Sequence, residues 1–157
     1  MDENSTNSAL LLRVPGAVCA FPIREVVETM RPLPIEPLAN VADFIHGVAL
    51  IRGSVVPVID LKAVFEAHAP DPPKRFVTIR VGERCVALAV QSVVGVVDLG
   101  KYTLEEMPPL LKSARPDVIQ AIGVLDSELL MVLRTSRLVQ ESVWKAIDKC
   151  EAAALSK

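Results

Sequence analysis

The apolar positions of this chain come in short runs, each closed by residues that favour turns. Leu10 to Val14 reads as a strand, Pro15-Gly16 as its turn and Val18 to Phe21 as the returning strand. Glu25 to Met30 continues extended. Val48 to Ile51 and Ser54 to Ile59 join at Arg52-Gly53, and Phe76 to Val81 and Arg84 to Val90 join around Gly82-Glu83. Val93 to Leu99 follows, and Ala121 to Leu125 and Glu128 to Leu133 form a last hairpin around Asp126-Ser127. About ten short strands with closely spaced turns predict small barrels or a sandwich.

Helical periodicity is confined to a few places. Asn40 with Asp43 suits a single turn before Phe44, and Asp60 suits a short turn through Leu61 and Phe65. Towards the C-terminus Val139, Val143, Ile147, Cys150 and Ala154 form an apolar stripe, with Ser136 as the expected N-cap. Proline takes 12 of the 157 positions, above the roughly 5% of an average protein. Pro32, Pro34 and Pro37, then Pro70, Pro72 and Pro73, then Pro108, Pro109 and Pro116 mark irregular connections between apolar blocks, because proline lacks a backbone donor and disfavours helix before it. Pro15 and Pro22 belong with the first hairpin.

Two stretches repeat. Leu12 to Gly16 echoes Ile79 to Glu83, with Cys19-Ala20 and Cys85-Val86-Ala87 following. Val55 to Leu61 resembles Val93 to Leu99, though at a different place in its half. Two similar small barrels, or chance matching among valines, would each produce this.

Composition narrows the function classes. The chain is 51% hydrophobic and 23% charged with a net charge of -2, a folded globular balance with no basic footprint for nucleic-acid phosphates. Aromatic residues are 4%, too few for a base-stacking platform. Cys19, Cys85 and Cys150 are far apart and form no C-x-x-C pair, so they read as small core residues of a reducing compartment, neither a disulfide framework nor a zinc site. The acidic, polar start from Met1 to Ser8 lacks the features of a secretory signal, and no apolar run approaches about 18 residues. The expected location is cytoplasmic.

Candidate chemistry is sparse. His46 and His68 have no serine, cysteine or carboxylate at a catalytic spacing, and no phosphate-binding loop or H-E-x-x-H pattern occurs. Asp117, Asp126 and Glu128 lie near turns and read as solvated. No catalytic residue, metal ligand or cofactor is expected. The strongest local feature is the stretch 44–61, two nearly uncharged strands around Arg52-Gly53, where Gly53 suits a positive φ. Pro57 within the second strand predicts an edge or a bulge, and an edge with exposed valine and isoleucine predicts a binding surface. The same residues packed inside their own barrel are the competing expectation.

This stretch, ending in R-G-S-V-V-P-V-I-D-L, resembles the hallmark of CheW-type adaptor domains. The similarity runs from about Leu10 to Val139, roughly four fifths of the chain, through V-x-E at Glu28, R-F-V-T-I-R-V from Arg75 and I-G-V-L-D-S-E-L-L-M-V-L at 122–133. The resemblance implies a mostly β fold of two five-stranded SH3-like barrels sharing a core, with a C-terminal helix. It implies one domain over 9–139, to which the polar start adds a flexible tail over 1–8 and the apolar stripe a helix over 136–154. Within the domain it implies subdomains of roughly 9–69 and 74–134, with exchange of strands allowed.

It also implies a non-enzymatic scaffold linking methyl-accepting chemoreceptors to a CheA-type histidine kinase in a two-component signalling array. Such a protein reaches the membrane only through its partners. The implied receptor-binding residues are Val26, Glu28, Gly47, Arg52, Gly53 and Pro57, with Glu28 and Arg52 as a pair. The implied kinase-binding residues are Val56, Val58, Asp60 and Leu61. The chain departs from the pattern at Leu50, at Pro15 to Cys19, at Gln91-Ser92 and at Arg134. These departures fit chemotaxis or a separate motility or pilus system. A different class, a small-ligand-binding barrel using Arg52 and Arg134 as charge partners, is the alternative.

Overall fold

Ten strands form where the short apolar runs alternate with turns: β1 (Ser8–Val14), β2 (Ala17–Pro22), β3 (Val26–Met30), β4 (Ile45–Ile51), β5 (Ser54–Asp60), β6 (Arg75–Val81), β7 (Arg84–Val90), β8 (Ser92–Asp98), β9 (Ile119–Leu125) and β10 (Glu128–Leu133). The helix α1 (Glu141–Leu155) follows. The computed structural model describes residues 7–14, 17–39, 41, 44–61, 63, 72–106 and 118–155, the side chains of 150–155 excepted. The expectations for Pro15-Gly16, Asn40, Asp43, Phe65, His68, Pro70, Pro108, Pro109, Pro116 and Asp117, and for the side chains of Cys150 and Ala154, lie outside the described residues.

The strands make two five-stranded sheets in the orders β8-β1-β2-β10-β9 and β3-β6-β7-β5-β4. The orders are equivalent. Hairpin β1–β2 occupies the place of β6–β7, and each sheet holds one parallel pair, β2 with β10 and β7 with β5. The first repeat seen in the sequence therefore falls on equivalent hairpins. The second does not, since β5 is interior and β8 is at an edge.

The sheets also cut across the contiguous halves 9–69 and 74–134. The first hairpin joins β8, β9 and β10, while the other sheet is drawn wholly from residues 26–90. Exchange occurs because β7 runs into β8 through Gln91 alone, and β8 pairs with β1 in the opposite sheet. Ser8, expected in the tail, already belongs to β1.

A shared core lies between the sheets. Leu10, Leu12, Cys19 and Phe21 of one pack with Ile59, Val77, Ile79 and Leu88 of the other, and α1 adds Val143, Trp144 and Ile147. Each barrel also has its own apolar filling: Val56, Val58, Phe76 and Ala87 in one, Leu11, Val18, Leu130 and Val132 in the other. Each large side chain so buried contributes about 1.5–3 kcal/mol of transfer free energy.

Two expectations are corrected. Pro57 does not mark an edge: β5 lies between β7 and β4, and Pro57 is buried. The missing N–H is tolerated for a local reason. Val48, opposite Pro57 on β4, turns both backbone groups away, donating to and accepting from Glu36 at 2.8 Å each. On its other side, the pairing of β5 with β7 begins only at Val58. No ladder donor is therefore required at residue 57.

The C-terminal helix, in turn, begins at Glu141 and not at Ser136. Thr135 to Arg137 form a 3-10 turn, held by the Thr135 hydroxyl donating to Glu25 Oε2 at 2.9 Å. The backbone is pinned there before the helix can start, and Val139 is buried ahead of it.

Candidate functional site

The Arg52-Gly53 turn joins β4 to β5 with only two residues, and both take positive φ, the kind of turn whose twist matches that of the strands. Arg52 has φ 50° and Gly53 φ 81°. Glycine reaches this region freely; an arginine there is held at a cost.

What holds Arg52 is Glu28 of β3. Its Nε and Nη2 donate to Glu28 Oε2 and Oε1 at 2.8 and 2.9 Å, a two-point fork. The Thr78 hydroxyl donates to the Glu28 carbonyl at 3.3 Å, which fixes the other end of the residue. The Arg52 side chain is 76% exposed and that of Glu28 28%. The hydrogen bond from Arg52 holds the Glu28 carboxyl below its ordinary value, and Glu28 raises Arg52 in return. The pair therefore stays ionised at neutral pH and presents a fixed cation beside β3.

The other residues expected on the receptor side are placed differently. Val26 is half-buried against the shared core. Gly47 is buried with φ 144°, and a Cβ on it would sit 2.1 Å from the Glu36 carbonyl oxygen. Its role is to let the 31–38 segment bridge onto β4 at Glu36 and Val48. Pro57 is buried as described. Only Glu28, Arg52 and Gly53 of this set come together near the surface. The residues expected on the kinase side are all enclosed: Val58 and Leu61 at 0%, Val56 at 3% and Asp60 at 6% exposure. Asp60 lies 3.1 Å from His46 Nε2 through Oδ2, and its N–H donates to the Phe44 carbonyl. His46, which sequence alone left partnerless, thus has a structural role.

Sequence reasoning missed the apolar surface that does exist. β3 and β8 are both sheet edges. Val27 on β3 and Val93, Val94 and Val96 on β8 are exposed, as is Leu50 on the edge strand β4. The available signal was connectivity. β3 and β8 are the two strands that no tight turn joins to a hairpin partner.

Several charged residues serve the fold. Glu128, expected as solvated, pairs with Arg13 across β2. Arg84 binds both carboxylate oxygens of Asp148 at 3.0 Å and lies 4.6 Å from the Trp144 ring centroid, strapping α1 to β7. Burial pushes the Cys19 thiol up and, to a lesser degree of enclosure, that of Cys85, so neither is poised as a thiolate nucleophile. Among the described residues, no three histidine, cysteine, aspartate or glutamate side chains cluster as metal ligands. No described helix is long and apolar enough to cross a membrane.

A model of the CheW-like domain matches residues 8–143, which include every strand and the start of α1. The chain belongs to the CheW-like domain family. Chemotaxis protein CheW of Klebsiella aerogenes is 26% identical over 113 residues, 71% of this chain and 68% of that protein. Chemotaxis protein CheW of Helicobacter pylori is 20% identical over 124 residues, 78% of this chain and 74% of that protein. Among solved structures, the scaffolding protein TtCheW from Thermoanaerobacter tengcongensis aligns with a TM-score of 0.73 at 20% identity, covering 86% of this chain and 88% of that one. The CheW-like fold accounts for the paired barrels, and the 44–61 stretch that first suggested it supplies β4, the Arg52-Gly53 turn and β5.

Proposed function

We propose that this chain is a chemotaxis coupling adaptor without enzymatic activity, joining methyl-accepting chemoreceptors to a CheA-type histidine kinase. The observation that carries the reading is the Glu28–Arg52 fork in a member of the CheW-like family. It fixes a charged turn beside the unpaired edge of β3, where Val27 offers apolar surface. A helical hairpin from a receptor would seat apolar side chains against such an edge, with the charged turn setting its register. Gly53 keeps that turn tight, while Val26, Gly47 and Pro57 support it from beneath.

On the kinase side, Val56, Val58, Asp60 and Leu61 act as the buried backing of β4. The contact itself moves one strand outward, to the β4 edge, where Leu50 is 68% exposed. Arg52, one of the two charges that a small-ligand barrel would need, is already engaged by Glu28.

The test is co-purification of the full chain with the cognate receptor's cytoplasmic tip and with the kinase. Wild type binds both. Arg52→Glu and Glu28→Arg each weaken receptor binding, and the double exchange restores part of it. Leu50→Asp weakens kinase binding alone. A wild-type chain that binds neither partner defeats the reading.

A further inference from the structure

The strands of the sheet β8-β1-β2-β10-β9 all bring one end to a cavity of about 400 Å³. Ser8 opens β1 there, Pro22 closes β2, Gln120 and Ala121 begin β9, and Val132 lies near the end of β10. The turn after β8 adds Leu99 and Gly100. The cavity is therefore the mouth of the barrel that holds β8. Its lining is graded from apolar to polar. Val132 is buried and Leu99, Leu104 and Ala121 are half-buried, and all four belong to the apolar filling of that barrel. Asn7, Arg24 and Gln120 are exposed and form the rim.

The rim groups are uncommitted. Among the described residues, Asn7, Arg24 and Gln120 make no ion pair and no side-chain hydrogen bond. Two carboxylates close to them in sequence are turned to other partners. Asp98 accepts from the Gly100 N–H at 2.9 Å, and Glu25, next to Arg24, accepts from the Thr135 hydroxyl at 2.9 Å. The mouth thus offers one guanidinium and two primary amides above an apolar floor. Ligand sites in barrel mouths have this make-up, with volumes of roughly 300–1,000 Å³ and a few polar groups fixing orientation.

We propose that this barrel mouth binds a small monocarboxylate with an apolar body. Arg24 takes the carboxylate through a two-point fork, the Asn7 and Gln120 amides donate to its oxygens, and the body lies on Leu99, Leu104, Ala121 and Val132. A single cation matches a single negative charge. A phosphate monoester, at about -1.5 to -2 near neutral pH, would exceed it. The site is independent of the adaptor reading, since it uses neither the Glu28–Arg52 pair nor the β4 edge.

The test is an NMR titration of the full chain with three probes: hexanoate, hexan-1-ol and acetate. Hexanoate shifts the amides of Ser8, Gly100, Gln120, Ala121 and Val132 and saturates. Hexan-1-ol keeps the body without the charge and binds about fivefold more weakly, the upper range for an exposed ion pair. Acetate keeps the charge without the body and binds at least tenfold more weakly. Arg24→Gln, an exposed change that leaves the melting temperature of the free chain in place, weakens hexanoate about fivefold and leaves hexan-1-ol unaltered. Ala121→Phe fills the floor and weakens both; its own melting curve shows whether it is folded. Absence of saturable hexanoate binding, shifts away from the mouth, equal affinity for hexanoate and hexan-1-ol, or undiminished hexanoate binding by Arg24→Gln would each overturn the proposal.

Discussion

β5 and β8 carry almost the same residues, SVVPVID and SVVGVVD, each followed by leucine. Their environments are opposite. Val58 of β5 is fully enclosed, while Val96, its counterpart in β8, is 57% exposed. β5 has neighbours on both sides and α1 lying against it; among the described residues, β8 pairs with β1 alone. β8 also carries an irregularity where Leu11 faces Gly95 and Leu12 faces Val93, so Val94 has no opposite number. A valine-rich run specifies a strand but not its place in the sheet. Place decides whether those valines become core or contact surface.

Four experiments would break or sharpen this contrast. The largest effect is expected from a charge at the matched position. Val58→Asp buries an unpaired carboxylate, at a cost of several kcal/mol against a total stability of about 5–15. It should abolish cooperative thermal unfolding at neutral pH. Val96→Asp should stay within about 0.5 kcal/mol of wild type. Equal losses in the two melting curves would show that β8 is covered after all.

The two glycines with φ near 150° make a second pair. Gly47→Ala drives a Cβ to 2.1 Å from the Glu36 carbonyl and must break that bridge, whereas a Cβ on Gly95 meets nothing within 4 Å. Gly47→Ala should cost about 3 kcal/mol or more, from strain and two lost hydrogen bonds, and Gly95→Ala about 1–2 from backbone strain alone. Chemical denaturation measures both, and a larger cost at Gly95 would contradict the structure.

The third concerns how each strand begins. β5 starts at the turn pinned by Glu28, and β8 starts after Gln91, whose N–H donates to the Arg13 carbonyl at 3.4 Å. Arg52→Ala should leave the melting temperature nearly unchanged while weakening receptor-tip binding. Gln91→Ala keeps that backbone N–H and should leave melting temperature and binding nearly unchanged. A large fall in stability for Arg52→Ala would mean that the fork serves the fold and not a partner.

The smallest effect is on pH dependence. Because Glu28 is held below its ordinary value in the folded chain, its stabilisation is fully present above the ordinary carboxylate range. It is lost as pH falls through the lowered value. The gap in melting temperature between wild type and Glu28→Gln should therefore hold constant from neutral pH down to the ordinary carboxylate range and close as pH falls below it. A gap that stays constant would remove the ion pair from the account.

The strands and their tight turns were legible in the sequence because each depends on local chemistry. Arg52-Gly53 and Asp126-Ser127 both take the double positive φ of one favoured two-residue hairpin turn, and Gly82-Glu83 takes positive φ at its glycine. The 44–61 stretch also disclosed the Glu28–Arg52 pair through its resemblance to a known pattern. Sheet order was not legible, since which strands become neighbours depends on contacts between distant residues. That is why Pro57 read as an edge marker: its missing donor is excused by Glu36, 21 positions away and in a segment with no strand pattern of its own. The cleft of about 630 Å³ between the edges of β3 and β8, lined by Thr29, Lys74, Arg75, Gln91, Ser92 and Val93, escaped notice for the same reason. Thr29, Arg75 and Val93 become neighbours only after both sheets have formed.

The order of synthesis gives the paired sheets a further meaning. All five strands of the sheet β3-β6-β7-β5-β4 have been made once residue 90 is in place. The first hairpin must wait for β8, β9 and β10, the last of which ends at Leu133. Until then Leu10, Leu12 and Phe21 lack most of the sheet to which they belong, and the second barrel closes only through contacts between the two ends of the domain. The barrel that holds β8 is thus assembled last, and the cleft beside it exists only in a chain whose beginning and end have met.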